Sequence, residues 1–184
     1  ILEMKLYTGK GDDGTTGILG EGRFSKSDLR VEVLGTIDEA SAVLGIARSA
    51  TESQSHREIV LHIQRDLYAL MAEIAAIPND WEKFHRITSV NVNWLEAQID
   101  HLSKDINMPK EFIIPGDNLA GAYFSLARVV IRRAERIVVA FLEANDFQKT
   151  DLLPYLNRLS SLLFVLELAE IQLSGKPKPT MAKG

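Results

Sequence analysis

Apolar residues recur at three- and four-residue spacing along most of the chain, beginning at about residue 36. The first run has apolar side chains at positions 37, 40, 43, 44 and 47, which predicts a helix from about Thr36 to Thr51. Thr36 and Glu39 have the spacing of a capping box, which favours a helix start at this point. The same periodicity predicts four more helices, over about residues 55–77, 89–106, 118–145 and 152–173.

The residues before the first predicted helix lack helical periodicity and are rich in glycine, aspartate and threonine. Long amphipathic helices joined by short connections pack mostly up and down. We therefore predict an all-α fold, a five-helix up-and-down bundle with an irregular N-terminal arm. The expected topology is that of a ferritin-like bundle without a di-iron site, because Glu82 and His85 form a single Glu-x-x-His pair and such a site needs two.

The predicted organisation is a single domain over residues 4–173. Residues 4–35 form the arm and residues 36–173 form the helical bundle. Residues 174–184 read SGKPKPTMAKG, and this composition is typical of a disordered end. We therefore predict a flexible C-terminal tail.

The composition limits the chemistry that the protein can perform. The chain has no cysteine, which excludes disulfides, thiolate nucleophiles and cysteine-ligated zinc. Its formal net charge of −4 argues against a general nucleic-acid binder, so any anion site has to be local. We recognise no apolar run of membrane-spanning length and no signal peptide, and expect a cytoplasmic protein without a membrane partner.

A glycine-rich stretch, YTGKGDDGTTG, occupies residues 7–17 of the arm. Its GKGDDG core matches G-x-G-x-x-G, but the strand–loop–helix context of a dinucleotide-binding fold is missing. Glycines nevertheless let successive backbone N–H groups surround an anion, and Lys10 and Lys26 add positive charge. From these residues alone, a phosphate-binding loop and a flexible leader are equally compatible with the pattern.

A second informative stretch, LARVVIRRAER, spans residues 126–136 of the fourth predicted helix. At 100° per residue, one face of about a third of the circumference carries Arg128, Arg132, Glu135 and Arg136, whereas Arg133 points elsewhere. Arginine is costly to bury unless it is paired. The face therefore indicates a bound polyanion or internal carboxylates such as Asp38, with a solvated charged surface as the alternative.

These two stretches, together with RVEVLGTIDEASAVLG (30–45), FIIPGDN (112–118) and YLNRLSSLLFVL (155–166), resemble the PduO-type ATP:cob(I)alamin adenosyltransferase family. The resemblance extends from about Lys5 to Leu168. It implies a homotrimer of five-helix bundles with active sites between adjacent subunits. It also implies transfer of the 5′-deoxyadenosyl group of ATP to the cobalt of reduced cobalamin, with release of triphosphate.

The resemblance assigns roles to individual residues. Asp38 and Arg128 correspond to an intersubunit salt bridge beside the corrinoid, and Phe112 to an aromatic residue that displaces the lower axial ligand of cobalt. Together with Arg132 these are the expected catalytic residues. The expected ATP contacts are Thr8, Gly9, Lys10, Gly11, Thr16, Gly17, Lys26, Arg132, Arg133, Ala134, Glu135, Arg136 and Asn157. ATP is expected to carry Mg²⁺, with no metal site formed by the protein.

The chain departs from the family pattern at two places near its end. Ser161 stands where the family often has aspartate, and Glu167 and Leu168 stand where it often has alanine and arginine. Both departures concern the corrinoid pocket and the subunit contact. The implied partners are a reductase and an adenosylcobalamin-dependent mutase. A non-catalytic carrier or chaperone that binds ATP and cobalamin is the alternative function.

Overall fold

A computed structural model of the chain describes residues 7–19, 22–148, 150–176 and 178–183. Residues 4–6 of the predicted domain, and residues 20, 21 and 149, lie outside this part. The described residues form five long helices, one short helix and one two-stranded hairpin, which confirms the predicted all-α fold. The elements are β1 (Thr15–Thr16), β2 (Phe24–Ser25), α1 (Leu29–Ala50), α2 (Gln54–Ala76), α3 (Trp81–Phe84), α4 (Ser89–Ser103), α5 (Leu119–Ala144) and α6 (Leu152–Leu173).

Helix α1 begins at Leu29, so the predicted start at Thr36 is wrong. The N-cap is Asp28, whose carboxylate accepts a hydrogen bond of 2.8 Å from the backbone N–H of Arg30. Thr36 is buried within the helix, and its hydroxyl donates to the carbonyl of Glu32 at 2.9 Å. Residues 29–35 show no clear apolar stripe, but burial of Val33 against the bundle stabilises two further turns of helix there. The arm therefore ends at residue 28.

The other long helices lie close to their predicted bounds. Helices α2 and α5 begin and end within one residue of the prediction, and α6 has the predicted bounds. Helix α4 ends at Ser103, before the predicted Ile106. Helix α3, which has only four residues, was not predicted.

Helix α5 is the central element of the bundle, because it packs along both α1 and α6. Small residues on its buried face, Ala127 and Ala134, are completely buried and let the neighbouring helices approach closely. Helix α2 packs on α1, and α4 packs on α6. The arginine-rich helix of the sequence is therefore held on two sides, which fixes the direction of its polar face.

Helix α6 corrects the expectation that the chain contains no apolar run of membrane-spanning length. It is the one helix in the described parts of the chain that is long and apolar enough to cross a membrane by length and composition, with a mean hydropathy of 1.3. However, 67% of this apolar window is buried inside the bundle. A central core helix passes the same test, so the apolar character of α6 is accounted for by its packing.

The C-terminal segment, which the sequence predicts to be a flexible tail, is hydrogen-bonded to the rest of the protein where the structure describes it, in residues 174–176 and 178–183. Met181 pairs with Ile113 in an antiparallel bridge. The N–H of Ile114 donates to the carbonyl of Thr180, and the N–H of Ala182 donates to the carbonyl of Phe112, each at 2.8 Å. Backbone pairing to a distant segment orders a sequence whose composition alone favours disorder.

Candidate functional site

The glycine-rich stretch forms a hairpin, so the arm is less irregular than predicted. Thr15 and Thr16 of β1 pair with Ser25 and Phe24 of β2 in antiparallel register. Gly9 and Gly14 have φ values of 67° and 81°, in the left-handed region that favours glycine. The two glycines thus serve the backbone turns that precede β1.

Arg23, which sequence reasoning missed, organises this hairpin. Its Nε donates to Thr15 Oγ1 at 2.7 Å, and its Nη2 donates to the carbonyls of Thr15, at 3.1 Å, and Lys10. Asp13 accepts from the N–H and the hydroxyl of Thr15 at 2.9 and 2.7 Å. These hydrogen bonds, and to a smaller degree Arg23, lower the pKa of Asp13. The charge of Asp13 is therefore directed at donors of the loop itself, which partly offsets its repulsion of a phosphate.

The predicted loop residues are brought together by the hairpin. The ammonium of Lys26 donates to the carbonyl of Gly11 at 2.8 Å, and the N–H of Lys26 donates to the carbonyl of Gly14 at 2.9 Å. Thr8 and Lys10 precede these residues and are exposed. Thr16 ends β1, and its hydroxyl lies 3.3 Å from the carbonyl of Gly17, the next residue. The hydroxyls, backbone groups and lysines predicted to bind phosphate thus belong to one hydrogen-bonded hairpin.

Arg30 attaches the hairpin to the bundle, and it too was missed. Its guanidinium lies 5.0 Å from the ring centre of Phe24 and 5.4 Å from that of Phe141. Its Nη1 donates to the carbonyl of Ala75 at 3.2 Å. Burial lowers the pKa of Arg30, and the nearby carboxylate of Asp28 partly offsets this effect. The arm is thereby held near the C-terminal part of α5.

The arginines of α5 divide into two sets, as the helical geometry predicts. Arg132 and Arg136 are exposed, and Arg136 Nη1 donates to the carbonyl of Arg132 at 2.9 Å. Arg133 instead forms an ion pair with Glu39 of α1. Ala134 is completely buried and contributes packing. Within the chain, the charge of Arg133 is thus balanced by a carboxylate.

Asn157 of α6 is positioned by its neighbours. Its Nδ2 donates to Glu135 Oε1 at 3.2 Å, and its Oδ1 accepts from Arg158 Nη1 at 2.9 Å. Arg158 is in turn paired with Glu96 of α4 at 2.7 Å. Arg158 is therefore engaged in an ion pair, whereas the exposed Asn157 lies beside the arginine face.

A cavity of about 440 Å³ lies at the N-terminal half of α5. Its lining residues are Pro109, Lys110, Glu111, Phe112, Ile113, Arg128 and Phe164. Phe112 is 89% exposed, and the guanidinium of Arg128 lies 5.9 Å from the ring centre of Phe164. Arg128 is half-buried, and its Nε has no hydrogen-bond partner among the described residues. A buried polar atom without a partner calls for an explanation, and a contact from outside this part of the chain would supply one.

Glu167, one of the departures from the family pattern, lies in the same region. It is 1% exposed on α6, and its Oε1 has no hydrogen-bond partner in the described part of the chain. Burial raises the pKa of Glu167, while Ser125 and Arg128 across the helix pair partly offset this effect. An incompletely satisfied carboxyl therefore lies behind the cavity, where sequence reasoning named no functional residue.

We expect Glu167→Gln to stabilise the fold at pH 8 by about 1 kcal/mol, because it removes a buried charge that is not fully compensated. A raised pKa in the folded state means that the wild type loses stability as pH rises from the ordinary value of 4.5 through the folded pKa. The gain should therefore vanish at pH 4. Thermal unfolding at the two pH values measures it, with Glu143→Gln on the exposed face of α5 as the control. An equal gain at both pH values would contradict the assignment.

Two sets of predicted site residues are not joined to each other by hydrogen bonds or ion pairs within the described parts of one chain. Asp38 is exposed, and no ion pair joins it to Arg128 among the described residues. Between residues 7–19 and the face formed by Arg132 and Arg136, the described chain likewise has no hydrogen bond. Nor does any group of three or more histidine, aspartate or glutamate side chains in the described ranges have an arrangement that could hold a metal ion.

The family model for cobalamin adenosyltransferase matches residues 6–170, and the chain belongs to that family. A corrinoid adenosyltransferase of Bacillus subtilis is 38% identical over 165 residues, which cover 88% of this chain and 83% of the relative. One from Citrobacter freundii is 36% identical, with coverage of 90% and 94%.

Solved structures give the same assignment. A variant PduO-type ATP:corrinoid adenosyltransferase from Lactobacillus reuteri, complexed with cobalamin and ATP, superposes with a TM-score of 0.89. It is 29% identical, and the match covers 98% of this chain and 100% of that one. A second variant of that enzyme, complexed with ATP, has a TM-score of 0.88 at 28% identity, with coverage of 97% and 100%. The bundle and its arm therefore match a fold that holds both ligands.

Proposed function

We propose that this protein transfers the 5′-deoxyadenosyl group of ATP to cob(I)alamin, forming adenosylcobalamin and releasing triphosphate. The observation that carries the proposal is the polar face of α5, where exposed Arg132 and Arg136 lie beside Asn157. Solvated arginines are common on protein surfaces, so the face alone would not indicate a ligand. The same chain also has a glycine-rich hairpin with two lysines, and the two features together favour a polyanion site. The corrinoid adenosyltransferases to which the chain is similar, and the complexes with cobalamin and ATP, support this substrate pair.

In the proposed reaction the protein positions the two substrates and neutralises negative charge. Reduced cobalt supplies the nucleophile, so no side chain is needed as nucleophile or base. Lys10, Lys26, Arg132 and Arg136 offset the negative charge that develops on the leaving triphosphate. The hairpin and α5 hold the nucleotide in line with the acceptor, which removes much of the entropic cost of the reaction. Mg²⁺ arrives with ATP in this proposal.

We propose that the site is assembled between subunits of a homotrimer. Three features support this arrangement: the loop and the arginine face are not hydrogen-bonded within the described chain, Asp38 is exposed, and Arg128 Nε is buried without a partner. Leu126 and Val129 are also exposed on either side of Arg128, as in an apolar contact between subunits. Light scattering after size exclusion tests the proposed mass, and a monomer would contradict it.

The decisive experiment is incubation of the protein with ATP, Mg²⁺ and chemically reduced cob(I)alamin. The absorbance change of adenosylcobalamin formation and stoichiometric triphosphate release are the expected results. Binding of both ligands without triphosphate release would favour the alternative, a carrier or chaperone that stores and transfers the cofactor. A reductase that supplies the reduced corrinoid and an adenosylcobalamin-dependent mutase that receives the product are the proposed partners.

We expect Arg23→Met to weaken ATP binding about tenfold, since three hydrogen bonds that shape the hairpin are lost and each is worth roughly 1 kcal/mol. Part of this free energy is lost by the hairpin before ATP binds, so the loss of ATP affinity is smaller than the sum of the three bonds. All three bonds lie within the hairpin, so the stability of the helical bundle should be unaffected. Calorimetric titration with ATP measures the change. Arg65→Met, at an exposed position of α2, is the matched control. Unchanged ATP affinity in Arg23→Met would show that the hairpin does not shape the nucleotide site.

A further inference from the structure

The segment that carries Phe112 is held by the C-terminal end of the chain. Phe112 and Ile114 pair through their backbones with Ala182 and Thr180, and these two hydrogen bonds of 2.8 Å flank the Ile113–Met181 bridge. One edge of the segment therefore faces residues 180–182, a short extended stretch that we call the C-terminal strand. Its side chains at 112 and 113 line the cavity that also contains Arg128. The position of Phe112 thus depends on whether the C-terminal strand remains paired.

Asp117 ties that strand to the start of α5. Its side chain is only 7% exposed, and both of its oxygens are used. Oδ1 pairs with the ammonium of Lys176 and accepts from the hydroxyl of Thr180 at 2.7 Å, while Oδ2 accepts from the N–H of Thr180 at 2.7 Å. Lys176 also donates to the Thr180 hydroxyl at 2.9 Å. One carboxylate therefore closes a compact network around the strand that pairs with Phe112.

The composition of the tail explains why such an anchor is needed. Residues 174–184 contain prolines, glycines and lysines and few apolar side chains, so ordering them has an entropic cost that little burial offsets. Hydrogen bonds to a charged group are stronger than those between neutral groups. The pKa of Asp117 is lowered to about 2, chiefly by Lys176, and the carboxylate remains charged at neutral pH. The anchor is therefore present under the conditions of the proposed reaction.

We propose that Asp117 is a positioning residue for Phe112: by binding Lys176 and Thr180 it keeps the C-terminal strand paired with residues 112–114 and so fixes the aromatic side chain at the cavity. The inference rests on the proposed function and on the role that the family resemblance implies for Phe112, displacement of the lower axial ligand of cobalt. It adds that the last residues of the chain act in this step, although they carry no reacting group. Asp117 itself need not touch either substrate.

The anchor is tested first without any assay of activity. Hydrogen–deuterium exchange at the amides of Ile114, Thr180 and Ala182 is measured in the full chain, in Asp117→Asn and in Lys176→Met. We expect exchange about tenfold faster in both variants, as the loss of one charged hydrogen bond implies. Lys178→Met, which removes an exposed lysine from the same segment, is the control and should exchange like the wild type. Unchanged exchange in both anchor variants would overturn the proposal.

The second measurement separates positioning from general destabilisation. The two anchor variants should lose about fivefold or more of the rate that starts from Co(II), while the rate from chemically prepared Co(I) changes less than about twofold. Equal losses in both assays, or faster exchange with both rates intact, would overturn the role for Asp117. A wild-type chain that forms no adenosylcobalamin would instead overturn the proposed function, and exchange alone would then decide whether Asp117 fixes the segment.

Discussion

Alanine in place of Arg128 is expected to lower kcat/KM for adenosylcobalamin formation about 100-fold, and Asp38→Ala should have a similar effect. Within one chain Arg128 Nε is buried and unpartnered, and Asp38 is exposed with no partner in the described residues. In the proposed trimer each completes the other across the subunit boundary, beside the corrinoid. Removal of either one leaves the other as an uncompensated charge at the site. Steady-state kinetics with saturating ATP measures the loss.

The double variant distinguishes a bridge from two independent contributions. If Arg128 and Asp38 act as a pair, the combined loss should be clearly smaller than the product of the two single losses. Strict multiplication of the two losses would argue against the bridge. Arg65→Ala and Asp100→Ala, which remove exposed charges of the same signs elsewhere on the helices, should leave the rate unchanged. Measuring kcat/KM of Glu167→Gln in the same assay shows whether the buried carboxyl behind the cavity also affects the pair formed by Arg128 and Asp38.

Phe112→Ala should slow the Co(II)-dependent reaction about 100-fold, a loss of roughly 3 kcal/mol, and the reaction from prepared Co(I) far less. The physical reason is that the implied role of Phe112 is to displace the lower ligand without taking its place, and the resulting four-coordinate Co(II) would be easier to reduce. Its high exposure in the single chain fits a side chain that meets its contact only when substrate is present. Parallel assays from Co(II) with a reductant and from Co(I) measure the ratio.

The outcome that would remove this role is an equal loss in the two assays. Tyr68→Ala provides the control, because Tyr68 is an equally large aromatic that is 75% exposed on α2, and its removal should change neither rate. The Co(II) spectrum of the bound corrinoid gives an independent reading. Loss of the four-coordinate signature in Phe112→Ala, without loss of corrinoid binding, is the expected result.

Most of the helical architecture could be predicted from the sequence because it depends on spacing along the chain. Each of α2, α5 and α6 buries a continuous apolar stripe, and its bounds follow from where that stripe ends. The start of α1 could not be predicted in this way. The capping signal at Thr36 predicts a later start, whereas burial of Val33 against the bundle extends the helix back to its N-cap at Asp28.

The residue types of the candidate site were also evident from the sequence, but their partners were not. Helical geometry separates Arg133 from Arg132 and Arg136, yet only the folded chain brings Glu39 to Arg133. The role of Arg23 in the hairpin gave no signal, because an arginine between two short extended segments has no periodicity that marks it. Family membership came from the motifs taken together, and the comparisons confirm it.

What the sequence alone determined is therefore the five long helices, their polar faces and the family, all of which follow from patterns of neighbouring residues. The tertiary structure decided which charges are balanced within the chain and which are not. It also decided the order of the C-terminal end, where Asp117 and Lys176 lie far apart in sequence and pair only after folding. The composition of the C-terminal segment indicates how much entropy is lost when it becomes ordered. The contact with Asp117 that offsets this loss forms only in the folded chain.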